Sequence, residues 1–115
     1  MEEFIIIFCT ISSPDDAKKI AKEIVQKKLV ACVNIIEGLT SIYEWKNKLC
    51  DEKECLMIMK TRNSLFSEIK KEISGLHPYE VPEIISVPIS NGLESFLGWI
   101  KQNTLDDLKI SEDQK

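Results

Sequence analysis

Between residues 77 and 83 the chain reads His-Pro-Tyr-Glu-Val-Pro-Glu, and no other stretch gathers as much chemistry. It offers an imidazole, a phenol and two carboxylates. Pro78 and Pro82 fix their own φ and hold His77 and Val81 extended, so these groups stand on a stiff backbone between two regular elements. Rigid loops of this kind are where function tends to sit. The plain alternative is an ordinary connection whose Tyr79 plugs the core. Cys9 is a soft metal-ligand candidate and His77 a borderline one, a pairing suited to copper or zinc. Two ligands do not complete a site, because structural zinc needs four and catalytic zinc three plus water. Free cysteine is also among the most buried residue types, so Cys9 taken alone reads first as a core thiol. A Cys9–His77 catalytic pair lacks an evident third group to orient the base, and an apolar surrounding keeps a thiol unreactive. No Gly-rich phosphate cradle is present.

Four strands and three helices must position these residues. Phe4 to Cys9 is apolar at every position, which predicts a central strand covered on both faces. Ser13-Pro14-Asp15-Asp16 is a helix start, with Ser as the cap, Pro at the first helical position and two acids at the positive end of the dipole. Val30 to Ile36 forms a second strand. Glu37-Gly38 interrupts it as a bulge or bend, and Thr40 to Trp45 resumes it. Lys46-Asn47 makes a tight turn, and Cys55 to Met59 is a third strand. Asn63 or Ser64 caps a second helix that Gly75 stops. Ile84 to Val87 is the fourth strand, and Leu93, Phe96, Leu97 and Ile100 mark a short last helix. This order predicts an α+β fold, a ferredoxin-like βαββαβ sandwich with a long hairpin between its second and third strands and an extra C-terminal helix.

Composition narrows the function classes. The 115 residues carry 15 bases and 19 acids, and a net charge of −4 disfavours a phosphate-neutralising surface. The third strand has none of the stacking aromatics that RNA recognition on this topology requires. Nucleic acid and membrane are therefore not expected partners. The opening Met1-Glu2-Glu3 has the wrong sign for a secretory signal, and no run approaches a membrane span. Four cysteines with gaps of 23, 18 and 5 residues fit no compact disulfide framework. Reduced thiols in the cytoplasm are the expectation. Residues 1–103 are assigned to one domain and 104–115 to an acidic, frayed tail.

One dimension argues for self-association. Strands of about 16 residues on each side of the Lys46-Asn47 turn would reach roughly 50 Å, whereas a compact chain of this length is about 35 Å across. The outer part of the hairpin, with Ile42, Tyr43, Trp45 and Leu49, must leave its own core and meet a partner, unless the bulge folds it back over the sheet.

The motifs converge on a known family. Cys9-Thr10, the run Leu29 to Asn34, Gly38-Leu39-Thr40-Ser41-Ile42-Tyr43, Trp45, Lys60-Thr61-Arg62 and the run His77 to Ile84 occur in an order that resembles the CutA divalent-cation tolerance proteins, along residues 4 to about 103. The resemblance implies a homotrimer similar in outline to the PII signalling proteins, with long hairpins wrapping neighbouring subunits. It further implies binding of copper or another divalent cation, a role in the response to metal ions, no organic cofactor and no established catalysis. Cys9 and His77 match ligands suggested for some members, and Leu76 stands where others carry a further histidine. Trp45, Lys60, Tyr79 and Glu83 match positions expected in an inter-subunit cleft. The alternative from a different class is a PII-like sensor or signalling adaptor that holds an anionic ligand in such clefts through Lys60 and Arg62.

Overall fold

The computed structural model describes residues 3–106. The chain order is β1 (Phe4–Ile11), α1 (Pro14–Gln26), β2 (Cys32–Trp45), β3 (Lys48–Arg62), α2 (Phe66–Leu76), β4 (Ile84–Pro88) and α3 (Glu94–Gln102). All three strand pairings are antiparallel and the sheet order is β2-β3-β1-β4, the expected ferredoxin-like arrangement with β1 interior.

The core lies on one face of that sheet. Ile7, Cys9 and Ile11 stand opposite Met59, Met57 and Cys55, with Ile5 beside them, beneath α1 and α2, which contribute Ile20, Ile24, Ile69 and Ile73. The expectation that β1 is covered on both faces is met on one face only. Phe4, Ile6 and Phe8 alternate with the buried set and are only partly covered. Across the ladders from them stand Ile58, Ile85 and Val87, the last two exposed. This face of the sheet is thus only partly covered within a single chain, apolar at these positions and polar where Asn34 and Lys60 share it.

Local signals explain most element ends. The Ser13 side chain accepts from the Asp16 N–H at 3.2 Å, capping α1, with Pro14 at its first position. Lys46 and Asn47 both adopt positive φ, 51° and 66°, the combination that a two-residue hairpin turn requires. The second helix begins otherwise than expected. Neither Asn63 nor Ser64 caps it; a single 3₁₀ turn, Asn63–Leu65, leads in from β3. Nor does Gly75 stop it. The helix runs on to Leu76 and ends at His77, ψ 135°, because Pro78 disfavours helical backbone in the residue before it.

The bulge decides which residues share a face. Ile36 pairs with Leu56 and Leu39 with Glu54, so two residues of β2, Glu37 and Gly38, oppose only Cys55. Side-chain parity switches there: Ile36 before the bulge and Leu39, Ser41, Tyr43 and Trp45 after it lie on the bare side. Gly38 takes φ 80°, a left-handed conformation that glycine adopts without cost. The hairpin stretches the domain to 44 Å in its longest dimension, with a radius of gyration of 15.0 Å against about 13 Å for a compact chain of this length.

Packing continues past residue 103. Thr104 is buried and the Leu105 N–H donates to the Lys28 carbonyl at 2.9 Å, so the body extends two residues beyond the assigned boundary. The rest of the assigned tail, from residue 107, lies outside the described residues.

Candidate functional site

The 77–83 loop and the hairpin together enclose a cleft of about 580 Å³, lined by Thr10 of β1, Tyr43 and Trp45 of β2, Glu52 and Glu54 of β3, and Tyr79 and Glu83 of the loop, among others. The bulge turns Tyr43 and Trp45 to this side, and the stiff His77–Pro82 segment supplies the opposite wall. The cleft lies at the end of the bare sheet face where Thr10 follows Phe8.

Its polar groups are ordered by two phenol–carboxylate bonds. Tyr79 donates from its hydroxyl to Glu54 Oε2 at 2.6 Å, and Tyr43 to Glu52 Oε1 at 2.5 Å. Burial, and then the Glu54 bond, pushes the Tyr79 phenol up to about 12. The Tyr43 phenol is also raised, first by its bond to Glu52. Glu54 is only 6% exposed, which is unusual for a carboxylate without a cation beside it. Among the described residues it forms no ion pair.

His77 holds the loop to the sheet. The Tyr79 N–H donates to Nδ1 at 3.1 Å, so Nδ1 is the acceptor and Nε2–H donates to the Thr10 carbonyl at 2.8 Å. Both ring nitrogens are therefore committed, and the ring packs edge-on to Tyr79 with centroids 4.6 Å apart. Cys9 is fully buried beneath α1 and α2. Burial pushes its thiol up to about 12, with smaller contributions from Glu83 and Glu54. A copper ion at this pair would need a thiolate that the core disfavours and an imidazole lone pair that the Tyr79 amide already uses. The donor set of Cys9 and His77, as folded in one chain, does not fit the metal. Among the described residues no three His, Cys, Asp or Glu side chains converge into a metal site.

The two basic candidates are elsewhere. Lys60 bonds to the Asn34 side chain and approaches Cys32 Sγ at 3.9 Å, on the β2–β3 ladder. Arg62 fastens the C-terminus of α3: Nε donates to Thr104 Oγ1 at 2.9 Å, and Nη2 to the carbonyls of Lys101 and Thr104 at 2.7 and 3.2 Å. Neither lines the cleft, whereas Trp45, Tyr79 and Glu83 all do. Glu52 and Glu54 are not site candidates in the sequence, and Tyr43 enters there only as a hairpin residue and part of the family motif. The two acids stand on the Thr10 side through the plain alternation of β3, in step with Leu56 and Ile58, and the β2 bulge turns Tyr43 to the same side.

Residues 5–103 match the family described as CutA1 divalent ion tolerance protein. The chain is 43% identical over 104 residues to the divalent-cation tolerance protein CutA of Thermus thermophilus, covering 90% of this chain and 99% of that one. It is also 43% identical over 97 residues to human protein CutA, of which it spans 54%, and it likewise spans little more than half of the plant and other vertebrate relatives. The crystal structure of CutA1 from Oryza sativa superposes with a TM-score of 0.89 at 36% identity, over 92% of this chain and 97% of that one.

Proposed function

The chain belongs to the CutA1 divalent ion tolerance family, and from that premise we propose that it is a non-enzymatic, homotrimeric protein of the metal-ion response that takes up cations in the cleft between its hairpin and its 77–83 loop. The observation that carries this reading is Glu54, a carboxylate held nine-tenths out of water with no cation beside it among the described residues. A buried carboxylate is held by hydrogen bonds and by positive charge; Tyr79 supplies the first at 2.6 Å, and a cation in the cleft would supply the second. Glu52 and Glu83 line the same cleft, so its field is negative, and among the described residues no Lys or Arg lines it, Lys46 standing outside over Glu80. That composition favours a cation over the anionic ligand of a PII-like sensor.

Self-association is supported by the bare apolar face carrying Phe4, Ile6, Phe8, Ile58, Ile85 and Val87. It is also supported by β2, a 14-residue strand on the sheet edge. A neighbour seated on that face would border the cleft and could add ligands that one chain lacks. Four free thiols are consistent with a reducing compartment, in keeping with a cytoplasmic location.

Calorimetric titration with copper(II) and manganese(II) tests the reading on wild type, Glu54→Gln, and the double variant Cys9→Ser/His77→Ala. The cleft reading expects Glu54→Gln to weaken both ions by about ten-fold or more and the double variant to bind within a few-fold of wild type, provided it folds. Loss confined to the double variant would return the site to Cys9 and His77.

A further inference from the structure

The cleft has a second side that a bare metal ion does not use. Tyr43, Trp45 and Tyr79 all line it. Both tyrosine hydroxyls donate to Glu52 and Glu54, so these side chains offer a ligand aromatic surface and not a donor. Aromatic faces attract cations, best when partly desolvated, and carboxylates beside them strengthen that preference. At about 580 Å³ the space suits a small organic molecule. No three metal-ligating side chains converge among the described residues. Among the described residues no Lys or Arg lines the cleft to receive an anion.

The chain itself supplies an example of the chemistry. Lys46, at the hairpin tip, places its ammonium 5.7 Å from the Trp45 ring centroid and 3.7 Å from Glu80 Oε1, another residue of the cleft wall. An alkylammonium therefore already rests at the mouth, between an aromatic face and a carboxylate. This pair is solvent-exposed and weak, so an incoming ammonium can replace it. Deeper in, Glu54 presents a carboxylate with no cation beside it among the described residues.

We infer that the cleft binds an organic ammonium ion, and specifically an alkyl diammonium, with one head at Trp45 and Glu80 and the other directed to Glu54. The alkyl stem would run along the tyrosine rings. The inference rests on the cleft being the protein's cation site and assigns the class of cation.

The test is calorimetric titration of the full chain with 1,4-diaminobutane in metal-free buffer at pH 7.5. Wild type is expected to bind, and Glu54→Gln and Trp45→Leu to bind about ten-fold more weakly or worse. Lys46→Ala is expected to bind roughly two- to five-fold more tightly, because an exposed internal competitor has been removed. That gain cannot arise from damaged folding. Lys60→Ala should leave the affinity unchanged. Absence of binding to wild type at millimolar diamine, or weaker binding in Lys46→Ala, overturns the inference. If diamine fails while manganese(II) binds in a Glu54-dependent way, the ammonium assignment falls and the cation cleft stands. If neither binds, both fall.

Discussion

The hydroxyl of Tyr79 donates to Glu54 Oε2 at 2.6 Å, joining the proline-stiffened loop to the middle of the hairpin across 25 residues of sequence. Both partners are largely withdrawn from solvent, so the bond matters to stability as well as to the site. Tyr79→Phe removes the donor and leaves a buried carboxylate short of a partner, which should cost about 1–3 kcal/mol. Urea unfolding measures this. A loss under about 0.5 kcal/mol, the scatter of surface substitutions, would mean the bond is dispensable.

The fold was legible in the sequence because its signals are local or periodic. Ser13-Pro14 announces a helix, Lys46-Asn47 a two-residue turn, and the run from Phe4 to Cys9 an interior strand. The cleft was legible in part. The unusual His77–Glu83 segment pointed to Tyr79 and Glu83, and family resemblance added Trp45. Glu52 and Glu54 sit in a charged stretch that reads as solvated surface, and only the fold of the 77–83 loop against β3 gives Glu54 its partner Tyr79, while the Gly38 bulge turns Tyr43 and Trp45 to the same side. Lys60 and Arg62 misled for the converse reason. Their motif is conspicuous, but Asn34, Lys101 and Thr104 absorb their donors, and partners so far away in sequence leave no trace in spacing.

Alkaline stability should report the buried acids. The Cys9 thiol ordinarily titrates near 9.0 and is pushed to about 12 in the fold. Tyr79 moves from 10.0 to about 12. For each, the unfolded chain gives up its proton first, so the stability these groups contribute is intact below pH 9 and is lost as pH rises from 9 to 12. Melting temperature against pH should fall across that window, and Cys9→Ala should melt lower at neutral pH yet show a shallower decline. Parallel curves for the two proteins would mean Cys9 does not titrate in this way.

Arg62 predicts the consequence of shortening the chain. Its guanidinium holds Thr104 and the Lys101 carbonyl, while Leu105 packs against the core. Ending the chain after Asn103 should therefore destabilise by about 1–3 kcal/mol, and Arg62→Ala by a similar amount, since each removes charge-assisted bonds at a part-buried site. Ending it after Asp106 should keep these ties. Equal unfolding midpoints for the 103- and 106-residue chains would show that the Arg62 clasp carries no weight.

Gly38 should be irreplaceable for conformational reasons alone. A Cβ there meets nothing within 4 Å, yet φ is 80°. Gly38→Ala is expected to cost about 1–2 kcal/mol, and to weaken cation binding if the strained bulge relaxes and shifts the parity of Tyr43 and Trp45. Unchanged stability would show that the backbone tolerates the substitution there.

The bare sheet face predicts assembly. Light scattering should give three times the 13.2 kDa chain mass, and Phe8→Asp should lower that mass by placing a charge on the face a neighbour would cover. A monomer at micromolar concentration would contradict the trimer.

Where a cation sits is the most direct question, and anomalous scattering from crystals soaked in manganese(II) or copper(II) answers it by position. The expected result is a peak inside the cleft beside Glu54, with Cys9 and His77 keeping their contacts to the core and to Thr10. A peak bridging Cys9 and His77, with the cleft empty, would contradict the account.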